Sequence, residues 1–273
     1  MTRARLILDI FRRGRTYSYG PHRSQCADLR LPAATGPHPV IVLIHGGSWQ
    51  ERYGKIVMRG LAGDLARRGW AVWNIEYRRL GGDGGWPATF EDVAAAIDLL
   101  AELDAPLDLE RVSVLGHSAG GHLALWAAAR DKLPSGALCS LADGSGVRIR
   151  QVVAQAGVCD LAGAYRLWRG GAARALMGGA PEEVPERYDV GDPLRLLPAS
   201  MPALLIHGVH DETVSVTLSR SYADAARAAG GEVELVEIEG RAGRHRAHID
   251  PRGAAWAAVI ERLAHAPSPS VAR

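Results

Sequence analysis

The peptide Val40-Ile41-Val42-Leu43-Ile44 has no polar residue and ends at His45-Gly46-Gly47. A continuous β-branched run of this kind does not alternate between water and core. It is a strand buried on both faces, which is the situation of a strand inside a parallel sheet. The rest of the chain repeats the theme. Strand-like runs are expected at 71–77, 111–115, 151–156, 203–206 and 233–238. Between them lie helical stretches: 55–68 closed by Gly69, Val93/Ile97/Leu100 at i, i+4 and i+7, and 123–130. Two more follow, at Leu218/Tyr222/Ala225/Ala229 and at Trp256/Val259/Ile260/Leu263. Strands separated by helix-length segments need crossover connections. The expected fold is therefore α/β, a mostly parallel sheet with helices on both faces.

The chain has 273 residues, enough for one large core, and a single domain over 1–273 is expected. One region breaks the rhythm. Residues 160–198 show no strand pattern and carry Gly170-Gly171, Gly178-Gly179, Pro181, Pro185 and Pro193. They are too long for a plain loop, so short helices forming a small lid-like insertion are expected. The first residues, up to Phe11, suit a short amphipathic helix; their apolar stretch is cut by Asp9 and is too short for a signal core. The Pro-containing tail 266–273 is expected to be disordered.

Thirty-two basic against 30 acidic residues give a net charge of +2. That balance does not favour nucleic acid or an anionic membrane as the main partner. No run approaches the 18 apolar residues of a membrane span. The cysteines, Cys26, Cys139 and Cys159, are odd in number and fit no metal spacing. A reducing, cytoplasmic setting follows from them, with no metal and no organic cofactor. A homodimer is the candidate oligomer.

The strongest chemical signal is Gly116-His117-Ser118-Ala119-Gly120, placed after a strand and opening a helix. In that context a G-x-S-x-G turn pushes the serine oxygen clear of the sheet. The turn also sets Ser118 at a helix N-terminus, where positive partial charge favours a developing anion. The second signal is His45-Gly46-Gly47-Ser48-Trp49 at the end of the first strand. Attack on an acyl carbonyl makes an oxyanion, which preorganised backbone N–H groups stabilise. Gly47 and Ser48 are the expected donors, helped by Ala119, with Gly46 shaping the loop.

A nucleophilic serine needs a base, and the base an orienting acid. Asp211, just beyond the strand 203–206, is the candidate acid. The adjacent Glu212 is the fallback, and Asp250 and Asp192 are weaker competitors. The base should follow the strand 233–238, where His245 and His248 both qualify and position alone does not separate them. His45 and His117 sit in backbone motifs and suit structural hydrogen bonds; His117, beside the nucleophile, is also a candidate substrate-binding residue. His122 lies on the helix after the serine, and His207 and His210 precede the acid. His22, His38 and His265 are expected to be solvated. Trp49, Trp86 and the lid residues Tyr165, Leu167 and Trp168 are candidates for a substrate pocket, whereas Trp73 and Trp126 suit the core.

These residues resemble the α/β-hydrolase superfamily across nearly the whole chain. More closely, they resemble its bacterial esterase and kynurenine formamidase-like branch, related to hormone-sensitive-lipase-type esterases. The resemblance rests on H-G-G-x-W at His45 to Trp49 and G-H-S-A-G-G-H at Gly116 to His122. It rests also on Glu76-Tyr77-Arg78 with Trp86-Pro87 beyond it, and on H-G-x-x-D-x-x-V at His207 to Val214. It implies a Ser118–His245–Asp211 triad, because His245 to Pro251 fits the frame in which such relatives carry H-F-x-x-I-D-P. Three positions depart from the pattern: Arg246 replaces an aromatic, Ser215 a proline and Ser48 a glycine. The implied activity is hydrolysis of small carboxylic esters through an acyl-enzyme. N-formyl arylamine hydrolysis is the alternative, and a non-catalytic small-molecule-binding module is a third.

Overall fold

The computed structural model describes residues 2–12, 14–141 and 144–264. His265 and the tail 266–273 lie outside them. Among the described residues the chain forms one eight-stranded sheet, ordered β1-β2-β4-β3-β5-β6-β7-β8. Its strands are β1 (Arg15–Ser18), β2 (Cys26–Arg30), β3 (His38–Ile44), β4 (Ala71–Ile75), β5 (Leu107–His117), β6 (Gln151–Gln155), β7 (Ala203–Gly208) and β8 (Val233–Ile238). β2 runs antiparallel to both β1 and β4. From β4 through β3, β5, β6 and β7 to β8 all neighbours are parallel.

The period of two along β3 sorts its side chains into two cores. Val40, Val42 and Ile44 face a layer built from Phe90, Val93, Leu123 and Trp126. Ile41 and Leu43 face the other layer, with Leu61, Leu65, Trp256 and Val259. A run apolar at every position is what burial on both faces requires.

Several boundaries differ from the sequence reading. β1 and β2 were not anticipated: β1 is largely exposed, and β2 alternates only weakly, so neither carries a strong apolar pattern. The stretch 55–68 is a 3-10 turn, Lys55–Met58, followed by the helix Arg59–Arg67. β4 stops at Ile75 because Glu76 and Tyr77 leave the sheet to support a neighbouring loop. The helix after the serine begins at Ala119, four residues earlier than its apolar pattern, which Gly120 and Gly121 dilute. His38, expected to be solvated, is 5% exposed at the start of β3, packed against the turn of Gly36 and Pro106.

The region 160–198 forms short helices Leu161–Leu167, Gly171–Met177 and Pro185–Gly191, then a 3-10 turn, Pro193–Leu196. The N-terminal helix Arg3–Phe11 docks through Asp9, whose carboxylate accepts from Arg30 at 2.7 Å and Arg67 at 2.6 Å. It leaves Ile7, Leu8 and Phe11 exposed. No helix among the described residues is long and apolar enough to cross a membrane.

Candidate active site

β5 ends at His117, and the helix Ala119–Ala128 begins two residues later, so Ser118 alone makes the turn. Its backbone takes φ 57° and ψ −121°, a conformation that costs a side-chain-bearing residue on the order of 1–3 kcal/mol. The flanking glycines make the turn sterically feasible. A Cβ on Gly116 would lie 1.9 Å from the Gly120 carbonyl oxygen, and one on Gly120 would lie 2.1 Å from that of Ile44. The Ser118 N–H donates to Gln155 O at 2.9 Å, pinning the elbow to the end of β6.

The elbow brings together three distant stretches. Ser118 Oγ lies 2.9 Å from His245 Nε2, and His245 Nδ1 lies 2.7 Å from Asp211 Oδ2. A carboxylate only accepts, so the imidazole proton sits on Nδ1, leaving Nε2 free to accept the serine hydroxyl. Asp211 Oδ1 accepts from the N–H groups of Thr213 at 2.8 Å and Val214 at 3.0 Å. Burial pushes the Asp211 carboxyl up. The hydrogen bond and charge of His245, with those two amides, outweigh it and hold the carboxyl below the usual aspartate range.

His245 opens the 3-10 turn His245–Ile249, which also contains His248. The two histidines take different places. His248 is fully buried, and neither of its ring nitrogens has a hydrogen-bond partner in normal geometry. Burial lowers its pKa to about 4. The turn is held by its backbone: His117 Nε2–H donates to His245 O at 2.9 Å, and Gln155 Nε2–H donates to His248 O at 2.9 Å. Gly208 and Gly243 let the loops carrying Asp211 and His245 meet, since a Cβ on Gly208 would lie 1.7 Å from Gly243 O. The other carboxylates are engaged elsewhere. Asp192 accepts from the N–H groups of Leu161, Ala162 and Leu194, Asp250 pairs with Arg252, and Glu212 is exposed.

The loop after β3 reaches the serine because Gly46 has no side chain: a Cβ there would lie 2.8 Å from Ser118 Cβ. Gly47, Ser48 and Trp49 all have positive φ, at 117°, 53° and 54°. Among the described residues the N–H groups of Gly47, Ser48 and Ala119 have no protein acceptor. The loop is braced from the end of β4. His45 Nε2–H donates to Glu76 Oε1 at 2.5 Å, Arg79 pairs with the same carboxylate, and Tyr77 OH donates to His45 O at 2.8 Å. Glu76, Tyr77, Arg79 and Gln155 had no such role in the sequence reading. Glu76 and Tyr77 stood out only as part of a motif of the resemblance, and Arg79 and Gln155 only as polar residues at strand ends.

Two cavities meet at Ser118. The larger, about 510 Å³, is lined by Gly46, Gly47, Tyr53, His117, His245 and Arg246 among others. The smaller, about 120 Å³, is lined by Ser48, Trp49, Ala119, Val158, Trp168 and Val214, with Ser118 common to both. Trp49 and Trp168 thus border the serine. Trp86 does not: it packs edge-on against Phe90, with ring centroids 5.0 Å apart, and lines neither cavity. Tyr165 and Leu167 line neither, and Trp73 and Trp126 are buried in the core. Among the described residues no three His, Cys, Asp or Glu side chains gather as a metal site.

Comparison with known proteins places this geometry. Esterase LipC of Mycobacterium tuberculosis is 29% identical over 232 residues, 81% of this chain and 57% of that protein. The probable isoprenylcysteine alpha-carbonyl methylesterase ICMEL1 of Arabidopsis thaliana is 25% identical over 244 residues, 83% of this chain and 50% of that protein. The chain therefore spans about half the length of these relatives. Among solved structures, a truncated carbohydrate esterase from gut microbiota has a TM-score of 0.77 at 22% identity, covering 93% of this chain and 96% of that one. Esterase B of Lactobacillus rhamnosis also has a TM-score of 0.77, at 20% identity, covering 96% of this chain and 89% of that one. Both show the α/β-hydrolase fold. The BD-FAE family model matches residues 27–225, which include the loop at His45–Trp49, the Ser118 elbow and Asp211, and the chain belongs to the BD-FAE family.

Proposed function

We propose that the chain is a serine carboxylesterase that hydrolyses small esters with short acyl groups. Ser118 is the nucleophile, His245 the general base and Asp211 the orienting acid. The observation that carries this is the continuous hydrogen-bond chain, 2.9 Å from Ser118 Oγ to His245 Nε2 and 2.7 Å from His245 Nδ1 to Asp211, beside backbone amides with no acceptor.

His245 Nε2 takes the Ser118 proton as Oγ bonds to the substrate carbonyl carbon. The carbonyl π electrons move to oxygen, which the N–H groups of Gly47, Ser48 and Ala119 stabilise. One such donor is worth about 3 kcal/mol in the transition state. Asp211 stabilises the imidazolium that forms. The tetrahedral adduct collapses, the C–O bond to the alcohol breaks, and the imidazolium returns its proton to the leaving oxygen. Water then attacks the acyl-enzyme with His245 again as base, releasing the acid and restoring Ser118. No step draws on a cofactor.

The smaller cavity supports the short acyl group. At about 120 Å³ it is below the ~150 Å³ that holds one benzene ring. Ester rather than N-formyl amide cleavage is supported by the relatives, which are named as esterases and methylesterases. We further read the chain as one domain with 160–198 as a small lid, since Trp168 and Ala172 from that region wall the smaller cavity. The three free cysteines support a reducing compartment such as the cytoplasm, and the exposed Ile7, Leu8 and Phe11 support a homodimer. The test is 4-nitrophenyl acetate hydrolysis with fluorophosphonate labelling. Turnover in the wild type and loss of both signals in Ser118→Ala are expected; an unlabelled, inactive wild-type chain overturns the reading.

A further inference from the structure

The two cavities at Ser118 differ in whether they touch the base. In acyl transfer the proton taken from the serine returns to the leaving oxygen, so that oxygen must lie within reach of His245 Nε2. The alcohol part of the substrate therefore occupies the lobe that His245 lines, the one of about 510 Å³. The acyl part takes the lobe of about 120 Å³, which Ala119 lines and His245 does not. This assignment rests on the triad reading above.

The alcohol lobe carries an unbalanced charge. Arg246, the residue after the base, is exposed and lines it, and no carboxylate does. Elsewhere in this arginine-rich chain the guanidinium groups are largely paired. Arg252 lies 2.8 Å from Asp250, Arg220 2.7 Å from Glu237, and Arg262 2.7 Å from Glu234. Among the described residues, Arg241, Arg244 and Arg246 have no ion-pair partner, although all three stand on the loop that delivers the base. Across the lobe, Tyr53 carries the Arg52 guanidinium 5.0 Å above its ring. Two acids adjoin the lining in sequence, Glu212 beside Thr213 and Asp250 beside Ile249; Glu212 is exposed, Asp250 is paired with Arg252, and neither lines either lobe.

We propose that the leaving alcohol for which this site is built carries a negative charge, a carboxylate or phosphate, read by Arg246. A guanidinium forks onto either anion in the same way, and its position beside the base places the anion on the leaving side of the scissile bond. The positive charge of Arg246 attracts such a substrate over several ångströms, an effect that salt screens.

The test holds the acyl group constant. 4-Nitrophenyl acetate is compared with its 3-carboxy derivative, and phenyl acetate with 4-acetoxyphenyl phosphate, each rate divided by its hydroxide-catalysed rate. In the wild-type protein kcat/KM is expected to favour the anionic member of a pair by about fivefold, as for a partly exposed ion pair, and high salt should shrink the ratio. Arg246→Gln should bring the ratio towards one, and Arg246→Lys should keep part of it. Preference in the first pair alone assigns a carboxylate, and in the second alone a phosphate. Equal corrected rates within both pairs in the wild type overturn the proposal while leaving the esterase reading standing. If neither neutral ester is hydrolysed and a fluorophosphonate fails to label Ser118, it is the esterase reading that falls.

Discussion

The backbone carbonyl of His245 accepts a hydrogen bond from His117 Nε2, 2.9 Å away, so the residue before Ser118 holds the residue that faces it. The two rings lie 4.7 Å apart. Burial, with the charges of His245 and His248, holds the His117 imidazole well below the usual histidine range, so it stays a neutral donor at working pH. The elbow and the base loop are thereby fixed to each other rather than separately to the sheet.

That tether has a kinetic signature. His117→Phe keeps a ring of similar size and removes the donor, which frees the His245 loop. A base displaced by about 1 Å costs as much as 10²-fold in rate, so kcat is expected to fall by about ten- to a hundredfold with KM little changed. Steady-state kinetics on 4-nitrophenyl acetate, with a thermal melt to show the fold intact, checks this. Unchanged kcat would mean the loop is held without His117.

The elbow should trade stability for chemistry. Ser118 holds φ 57° where glycine carries little penalty. Ser118→Gly should abolish turnover and raise stability by about 1 kcal/mol, the relieved strain exceeding glycine's extra chain entropy. Ser118→Ala, which keeps the Cβ, should lose activity by at least about 10³-fold without that gain. Denaturant melts of both variants separate the two effects; equal stability of the glycine and alanine forms would show that the strain stored at the elbow does not exceed glycine's extra chain entropy.

Acid should unfold the protein through its buried imidazoles. Burial lowers the pKa of His45 to about 3 and of His122 and His248 to about 4. Unfolded, each titrates near 6.5. Between those values the unfolded chain binds more protons, so stability is full above about pH 6.5 and is lost as pH falls below it. At pH 5 the loss is about 2 kcal/mol per imidazole. Asp192 works the other way: burial raises its carboxyl to about 6, so its folded form is favoured as pH drops. Three histidines outweigh one aspartate, and Tm is expected to fall on the order of 10 °C from pH 7 to pH 5. A flat Tm over that range would show the imidazoles to be hydrated.

What the chain disclosed on reading, and what it withheld, divides along the range of the interactions. Ser118 was legible because a strand, a glycine-flanked serine and a helix are contiguous. Asp211 followed from its place after β7. Between His245 and His248 the spacing was silent, and only the family frame favoured His245: they share one 3-10 turn, and in three dimensions His245 reaches Ser118 and Asp211 while His248 is fully buried. Gln155 and Glu76 work by bonding across the sheet end to another segment, which leaves no periodic trace. β1 was hidden because an exposed edge strand needs no apolar face. Trp86 looked like a pocket residue, but its ring packs on Phe90 instead.

The acyl lobe should respond to one side chain. Trp168 comes from the 160–198 region, is half-buried and lines the smaller cavity together with Val158 and Val214. Because Trp168 is half-buried rather than a core position, replacing it with alanine removes part of that wall without opening a cavity in the core. Each methylene newly accommodated in an apolar pocket is worth roughly 1 kcal/mol or more in the transition state. Trp168→Ala is therefore expected to raise kcat/KM for 4-nitrophenyl hexanoate relative to the acetate by about tenfold or more. The gain should appear in the ratio even if both absolute rates drop from a looser cavity wall. Should the chain-length profile stay as it is in the wild type, the lobe that holds the acyl chain lies elsewhere, on the side of Tyr53 and Ile249.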